Sequence, residues 1–132
     1  MKFMRKIVLT SELKKHFPNM TIEYGGKDDV IATIPPIHQS WKPIIICGDE
    51  DEVTVFYGDF THKHFGYFGE NTDVEIQAKS IASDVIEEMK SVLEDQLEFY
   101  KQLGGGGSRA RGSQGRLSKA LFGKNGVVWS GH

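Results

Sequence analysis

The sequence lacks the features that mark disulfide-rich, membrane and exported proteins. It contains one cysteine, Cys47, so no disulfide can form within the chain. No stretch approaches the ~18 consecutive apolar residues that a membrane-spanning helix needs. Residues 1–9 include basic residues but have neither the apolar run nor the small-residue cleavage site of a signal peptide. These absences predict a cytoplasmic protein in a reducing compartment, and no contact with a membrane is expected.

Motifs for nucleotide binding and nucleophilic catalysis are also missing. The glycines at 104–107 do not lie between a strand and a helix in the way that a P-loop or a dinucleotide fingerprint requires. Cys47 follows three isoleucines, which is typical of a core position and not of a nucleophile. The acidic run 49–52 lacks the spacing and the glycine of an EF-hand loop. Because no complete catalytic set is present, the sequence favours a non-enzymatic role.

Acidic residues are absent from the last part of the chain. All 18 Asp and Glu and 11 of the 16 Lys and Arg lie in residues 1–103, which therefore carry a net charge of −7. Residues 104–132 hold the other five basic residues and no acid. The segment 109–124 is therefore a candidate for weak, salt-sensitive binding of nucleic acid, or for a solvated loop beside the acidic body. The length of 132 residues predicts a single domain over 1–132.

Apolar residues spaced by three and four positions predict two helices. The first lies within 4–17 and ends at Pro18. The second covers 73–95 and begins after a capping box formed by Thr72 and Glu75. Its apolar stripe consists of Val74, Ala78, Ile81, Val85, Met89 and Val92. A continuous stripe of this kind is expected to pack on a sheet.

Short β-like runs separated by turns lie between the two helices and predict an antiparallel meander. The runs are residues 21–24, 30–34, 44–47 and 53–57, and β character continues to about residue 65. The run at 44–47 is apolar throughout, which predicts a central strand buried on both faces. The expected fold is an α+β two-layer sandwich, in which the N-terminal helix and the long helix cover one face of a mainly antiparallel sheet.

The chain beyond the long helix has a strand-like run at 97–101, a Gly/Arg-rich segment at 104–126 and a second strand-like run at 127–129. The segment 104–126 is expected to be a flexible loop before the last short strand. Its beginning, Gly104–Ser108, has the sequence of a common engineered linker, and it also fits a native hairpin loop. We prefer the native loop, in which residues 127–129 pair with 97–100, because a Trp in a strand-like end is best explained by sheet closure.

The densest group of candidate functional residues is in the segment 58–65. On an extended strand, His62 and His64 point to the same face, and two imidazoles at this spacing can bind one transition metal. A zinc site needs a third ligand, for which His38 and Asp59 are the candidates. Asp59 has the opposite parity on a regular strand and would join the histidines only through a bulge at Gly58 or Asp59. The candidate site as a whole comprises Asp59, Thr61, His62, His64 and Phe65.

The same spacing also fits a structural or surface role without metal. Phe56 and Phe60 share parity with His62 and His64, and in this alternative the histidines continue an aromatic face. No cofactor is expected apart from the possible transition metal.

The motif in this segment resembles one found in small uncharacterised bacterial proteins. In those proteins a strand ends in Gly-acid-x-Thr-His-x-His-Phe and is followed by an amphipathic helix, a strand and a late Trp. The matching positions here are Gly58, Asp59, Thr61, His62, His64 and Phe65, with the helix from Asp73 and with Trp129. The resemblance implies no known activity. By analogy it suggests an immunity or accessory protein of a bacterial toxin system, and the long Gly/Arg-rich insert departs from the pattern.

Three functions are consistent with these observations. The first is a cytoplasmic interaction protein, of the type of an immunity inhibitor, whose acidic body binds a basic protein partner. Its contact residues would be the aromatic side chains of Trp41, Phe65, Tyr67 and Phe68. The second is a metal-dependent enzyme that uses His62 and His64, and the third is a weak nucleic-acid binder that uses the basic segment 109–124.

Overall fold

The structure is a computed structural model and describes residues 2–27, 29–39, 41–49, 52–102, 105–111 and 127–130. Two helices and seven strands lie in this part of the chain. In chain order they are α1 (Lys2–His16), β1 (Glu23–Tyr24), β2 (Val30–Ile34), β3 (Ile44–Gly48), β4 (Glu52–Tyr57), β5 (Thr61–Gly66), α2 (Val74–Leu93), β6 (Leu97–Gln102) and β7 (Gly105–Ala110).

The first five strands form an antiparallel meander in the spatial order β1-β2-β3-β4-β5. One face of this sheet carries the alternate buried residues of the strands, which pack with the apolar sides of α1 and α2 in one core. The predicted α+β sandwich, with both helices against a mainly antiparallel sheet, is therefore confirmed. Short connections between consecutive strands make this order the simplest topology for the sequence.

Helix α1 begins two residues earlier than the sequence predicts. Its inward side repeats every four residues through Arg5, Leu9 and Leu13, and all three are buried. Arg5 donates a hydrogen bond through Nη2 to the backbone carbonyl of Asp49, so its charge is held against the turn between β3 and β4. Arg5 already lies within the predicted range 4–17, and the apolar periodicity does not mark it as a buried position because it is charged.

Helix α2 buries the predicted stripe except for Val74, which is 37% exposed, and its N-cap is Asp73 and not Thr72. Asp73 Oδ1 accepts hydrogen bonds from the backbone N–H groups of Glu75 and Ile76 at 2.9 and 3.1 Å. A carboxylate at the N-cap binds two otherwise unpaired N–H groups and also complements the positive end of the helix dipole. The predicted capping box of Thr72 and Glu75 is therefore wrong by one residue.

Strand β3 is central, as predicted, but it is deeply buried on only one face. Ile44 and Ile46 are completely buried beneath the helices, whereas Ile45 and Cys47 are half-buried. The expectation that Cys47 belongs to the core is therefore wrong. The physical reason is that both helices pack on the same side of the sheet.

A polar contact crosses the interface between the sheet and α2. The fully buried Tyr57 on β4 donates a hydrogen bond to Glu88 Oε2, and Lys63 Nζ lies 3.0 Å from the same carboxylate oxygen. Burial raises the pKa of Tyr57 far above its usual value, and the hydrogen bond to Glu88 and its negative charge raise it further. Tyr57 is therefore a neutral hydrogen-bond donor at physiological pH.

An aromatic cluster closes the core at one end of the sheet, and it consists of Trp41, Tyr57, Phe60, Phe99 and Trp129. The Trp41 ring lies 4.9 Å from Trp129 and 5.0 Å from Phe99, both nearly perpendicular to it. Trp41 Nε1 also donates a hydrogen bond of 2.9 Å to the carbonyl of Val128. Edge-to-face packing with a paired indole N–H is the favourable arrangement for buried tryptophans.

The chain after α2 forms a separate antiparallel pair of strands, β6 and β7. Val127 joins β6 through two hydrogen bonds with Phe99, at 2.7 and 2.8 Å, so the predicted pairing of 127–129 with 97–100 is confirmed at this one residue pair, and residues 128–130 form no strand. Residues 105–110, which the sequence assigns to a flexible loop, are a strand here because their backbone groups pair with β6 even without large side chains. Residues 112–126 of the predicted loop lie outside the described residues.

Candidate functional site

The side of the five-stranded sheet opposite the helices forms a surface that we call the open face. Its side chains follow from the strand register, which places Ile45, Phe56 and His62 in one cross-strand row and Cys47, Thr54 and His64 in the next. Phe56, His62 and His64 are exposed, and the other three are half-buried. In the described part of the chain, both helices pack on the opposite face.

The two histidines share this face, as the sequence predicts. The His62 ring lies 5.7 Å from the Phe56 ring and 5.0 Å from the His64 ring, which is nearly perpendicular to it. The prediction that Phe60 continues the same aromatic face is wrong, because Phe60 is buried in the aromatic cluster on the other side. The turn at 58–60 reverses the chain, and the alternation of strand side chains does not continue through a turn.

Gly58 makes this turn possible. Its φ of +56° is in the left-handed region that favours glycine, and a Cβ at this position would lie 3.1 Å from the backbone oxygen of Lys42. The turn connects β4 to β5 so that Tyr57 pairs with Thr61. That register decides which residues of β4 lie beside the histidines.

Glu52 and Thr54 hold the imidazole of His64. Its Nδ1 lies 2.8 Å from Glu52 Oε1 and 2.9 Å from Thr54 Oγ1. Because a carboxylate only accepts hydrogen bonds, the contact with Glu52 places a hydrogen on Nδ1. In the neutral ring, Nε2 is then the nitrogen with a free lone pair. The sequence analysis did not predict that Glu52 and Thr54 contact His64. Pairing the residues of β4 with those of β5 across the turn at Gly58 would have placed both beside it.

Phe68 lies beyond the end of β5 and is 96% exposed. Gly66 follows His62 and His64 on the open face, and a Cβ on Gly66 would lie 3.5 Å from the tip of the Phe68 ring. The ring therefore extends the open face past His64. The loop after it is held by hydrogen bonds from Asn71 N to Tyr67 Oη at 3.1 Å and from Asp73 N to Asn71 Oδ1 at 2.8 Å.

The remaining predicted site residues do not join the histidines. Asp59 lies in the turn, 3.9 Å from Lys42 Nζ, while Thr61 and Phe65 alternate with the histidines and face the helix side. Trp41 was predicted as a surface contact, but it is 4% exposed and belongs to the aromatic cluster. Its burial depends on Trp129, which is distant in the sequence.

The structure does not bring His38 to the other two histidines. His38 lies in the proline-rich loop, where its carbonyl accepts a hydrogen bond from the N–H of Trp41. Among the described residues, no group of three His, Cys, Asp or Glu side chains is placed to hold one metal ion. His62 and His64 therefore offer two imidazole ligands for a metal ion, both on one strand.

Cys47 lines a depression of about 410 Å³ on the open face, together with Asp29, Thr54 and Phe56. Burial raises the pKa of the Cys47 thiol, and the negative charge of Asp29 raises it further. A reactive cysteine needs the opposite environment, one that stabilises the thiolate. The depression is therefore not built for nucleophilic catalysis by Cys47.

The border of the open face is mostly acidic. Glu23 is opposite Thr33 on β2, Asp29 and Asp49 line the depression beside Lys27, and Glu52 contacts His64. This border combines carboxylates with an aromatic centre. Such a surface attracts cationic groups and repels phosphates.

Comparisons with known proteins gave no matches: no family model, no curated protein and no solved structure matches the chain. None of the helices in the described segments is both long and apolar enough to span a membrane. Of the basic segment 109–124, only residues 109–111 belong to the described part of the chain, where Arg111 is exposed.

Proposed function

We propose that this chain is a cytoplasmic protein-interaction module, of the type of a bacterial immunity protein, that binds a basic protein partner through the open face. One observation carries the proposal: Phe56, His62 and His64 form an exposed aromatic patch on a sheet face that the helices leave uncovered, and carboxylates lie along the border of that face. Protein interfaces are enriched in aromatic residues at their centre and have a polar rim.

Phe56 and Phe68 are the proposed anchor residues. Phe56 is 40% exposed in the middle of the sheet, where its backbone is fixed by neighbours on both sides. Phe68 is carried by a hydrogen-bonded loop, so little conformational freedom is lost when a partner covers it. Large apolar side chains that are exposed on ordered backbone are the usual source of binding energy at an interface.

The charge of the surface supports a basic partner, such as a nuclease toxin. Residues 1–103 carry a net charge of −7, and carboxylates border the face that carries the aromatic patch. Complementary charge accelerates association and makes it sensitive to salt. The cytoplasmic location in this proposal is supported by the single cysteine, and the bacterial origin by the resemblance of the segment 58–65.

The geometry gives less support to the two other functions. A metal-dependent enzyme needs at least three protein ligands, and the described residues supply the pair of histidines without a third group in reach. A nucleic-acid binder would use the basic segment 109–124, of which the structure describes residues 109–111 alone, so the described residues give it no further support. Neither is proposed.

The proposal is tested with the products of genes adjacent to this one that carry a net positive charge. Each product and the chain are purified separately. Binding between them is then measured by isothermal titration calorimetry at low and at raised salt. We expect one product to bind and its affinity to fall as salt is added. We expect Phe56→Ser and Phe68→Ser each to weaken binding by about tenfold or more.

The matched controls are Ile7→Ser and Ile37→Ser, because both isoleucines are exposed and lie outside the open face, on α1 and in the proline-rich loop. They should bind as the unmodified chain does. If no basic neighbour binds, the proposed function is wrong. If a neighbour binds and only the control variants weaken it, the function stands but the open face is not the site.

A further inference from the structure

We propose that His62 and His64 are half of a transition-metal site, and that the same two residues of a second copy of this chain complete it. The proposal does not rest on the partner proposed above, although a dimer formed in this way would cover the same open face. Its basis is the pair itself: two exposed imidazoles project from one face of β5 with ring centroids 5.0 Å apart. With metal–nitrogen distances of about 2.0–2.1 Å, two rings at this separation can share one Zn²⁺.

Glu52 prepares His64 for this role. A histidine that binds a metal through one ring nitrogen commonly donates the hydrogen on the other nitrogen to a carboxylate, which fixes the ring and raises its basicity. The contact of 2.8 Å between His64 Nδ1 and Glu52 Oε1 is this arrangement, and it leaves Nε2 for the metal. Thr54 Oγ1, at 2.9 Å from the same nitrogen, restrains the ring further. Glu52 thus acts as a positioning residue and not as a ligand.

Two ligands do not complete a zinc site, because Zn²⁺ in proteins is usually four-coordinate. The described part of the chain offers no third side chain within reach of the pair. A second copy related by a two-fold axis supplies an identical pair, which gives four imidazoles around one ion. Isologous contacts of this kind are the commonest in homodimers.

The position of the pair favours a second copy. His62 and His64 lie on the open face, and both described helices pack on the opposite face, so an identical surface can approach the pair without displacing a helix. Two copies brought together in this way also place their acidic borders close together. Because like charges repel, the dimer should form with the metal and separate without it.

The test is the mass of the full chain in solution, measured by sedimentation velocity with ZnCl₂ alone and again after EDTA. We expect a monomer in EDTA and a dimer with zinc, saturating at about 0.5 Zn²⁺ per chain for a shared four-ligand site. His62→Gln and His64→Gln should each abolish the zinc-dependent dimer. His16→Gln and His38→Gln are the controls and should not affect it. Urea unfolding of each variant without metal checks that the fold is retained.

Glu52→Gln provides a second, graded readout. Loss of such a supporting carboxylate typically weakens metal affinity by about 10–100-fold, so the variant should still dimerise but at higher zinc concentration. A zinc-dependent dimer that His62→Gln and His64→Gln both abolish supports the proposal. It is overturned if the chain remains a monomer in zinc, if one zinc binds per monomer, or if the dimer persists in either variant or in EDTA.

Discussion

Tyr57 Oη donates a hydrogen bond of 2.6 Å to Glu88 Oε2 and so joins the buried face of β4 to the long helix. Lys63 holds the same carboxylate from the neighbouring strand. We expect Tyr57→Phe to lower the free energy of unfolding by about 1.5–3 kcal/mol, because the lost bond is made to a charged group in a half-buried place. Urea denaturation measures the change. Tyr67→Phe, which removes an exposed contact with Asn71, should change stability by no more than about 0.5 kcal/mol. Equal losses in the two variants contradict this account.

The same contact predicts a pH dependence at alkaline pH. The pKa of Tyr57 is raised in the folded chain, whereas in the unfolded chain the phenol ionises near its usual value of about 10. The stabilisation is therefore fully present below about pH 10 and is lost as pH rises toward the folded pKa, by about 1.4 kcal/mol per pH unit. Urea midpoints at pH 9 to 11 should fall more steeply for the unmodified chain than for Tyr57→Phe. Parallel curves would show that Tyr57 ionises normally when folded.

The N-cap of the long helix gives a prediction that separates two neighbouring residues. Because Asp73 accepts hydrogen bonds from two backbone N–H groups, Asp73→Ala should lower the free energy of unfolding by about 1 kcal/mol. Thr72→Ala should have little effect, since the capping hydrogen bonds are made by Asp73. Thermal or urea unfolding of the two variants decides between them. A larger loss for Thr72→Ala would restore the capping box that the sequence suggests.

The last described residues are expected to contribute to the core of the fold. Trp129 is 2% exposed and packs against Trp41. Trp129→Ala should therefore lower the free energy of unfolding by about 3–5 kcal/mol, because it leaves a cavity in the core. Phe68→Ala removes a large ring from an almost fully exposed position and should lower the free energy of unfolding by no more than about 0.5 kcal/mol. Both are measured by urea denaturation. If Trp129→Ala unfolds no more easily than Phe68→Ala, the segment 127–130 does not stabilise the chain.

Cys47 should react slowly with thiol reagents in the folded chain. Its pKa is raised by burial and by the charge of Asp29, so the thiolate population at pH 8 is smaller than for an ordinary thiol. Alkylation by iodoacetamide, followed by mass spectrometry, should be slower for the folded chain than for the chain unfolded in urea. Asp29→Asn should accelerate it. A folded chain that reacts as fast as the unfolded one contradicts the assigned environment.

The periodic parts of this fold were predictable from the sequence. The apolar stripe of α2 and the alternation of β4 repeat over enough residues to define one side of each element. In the structure these are the sides that pack in the core. The burial of Arg5 in α1 was not predictable in this way, since an apolar stripe does not include a charged residue. The N-cap was missed by one position because Thr72 and Asp73 are both good capping residues.

The candidate site could be predicted only in part. The spacing of His62 and His64 placed both on one face of a strand, and the structure confirms this. The contact between Glu52 and His64 was not predicted, because it depends on the register of the β4–β5 hairpin. A three-residue turn at Gly58 determines that register. The burial of Trp41 depended on Trp129, and the sequence contains no local signal for a contact between residues so far apart.

The placement of Trp129 beside Trp41 has a consequence for how the chain acquires its structure. The meander of β1 to β5 joins each strand to the next, so its pairings are local and can form early during synthesis. The aromatic cluster, in contrast, lacks one of its largest members until residue 129 has left the ribosome. A nascent chain of about 120 residues would therefore carry a paired sheet over an unfinished core, a state in which exposed apolar surface favours aggregation.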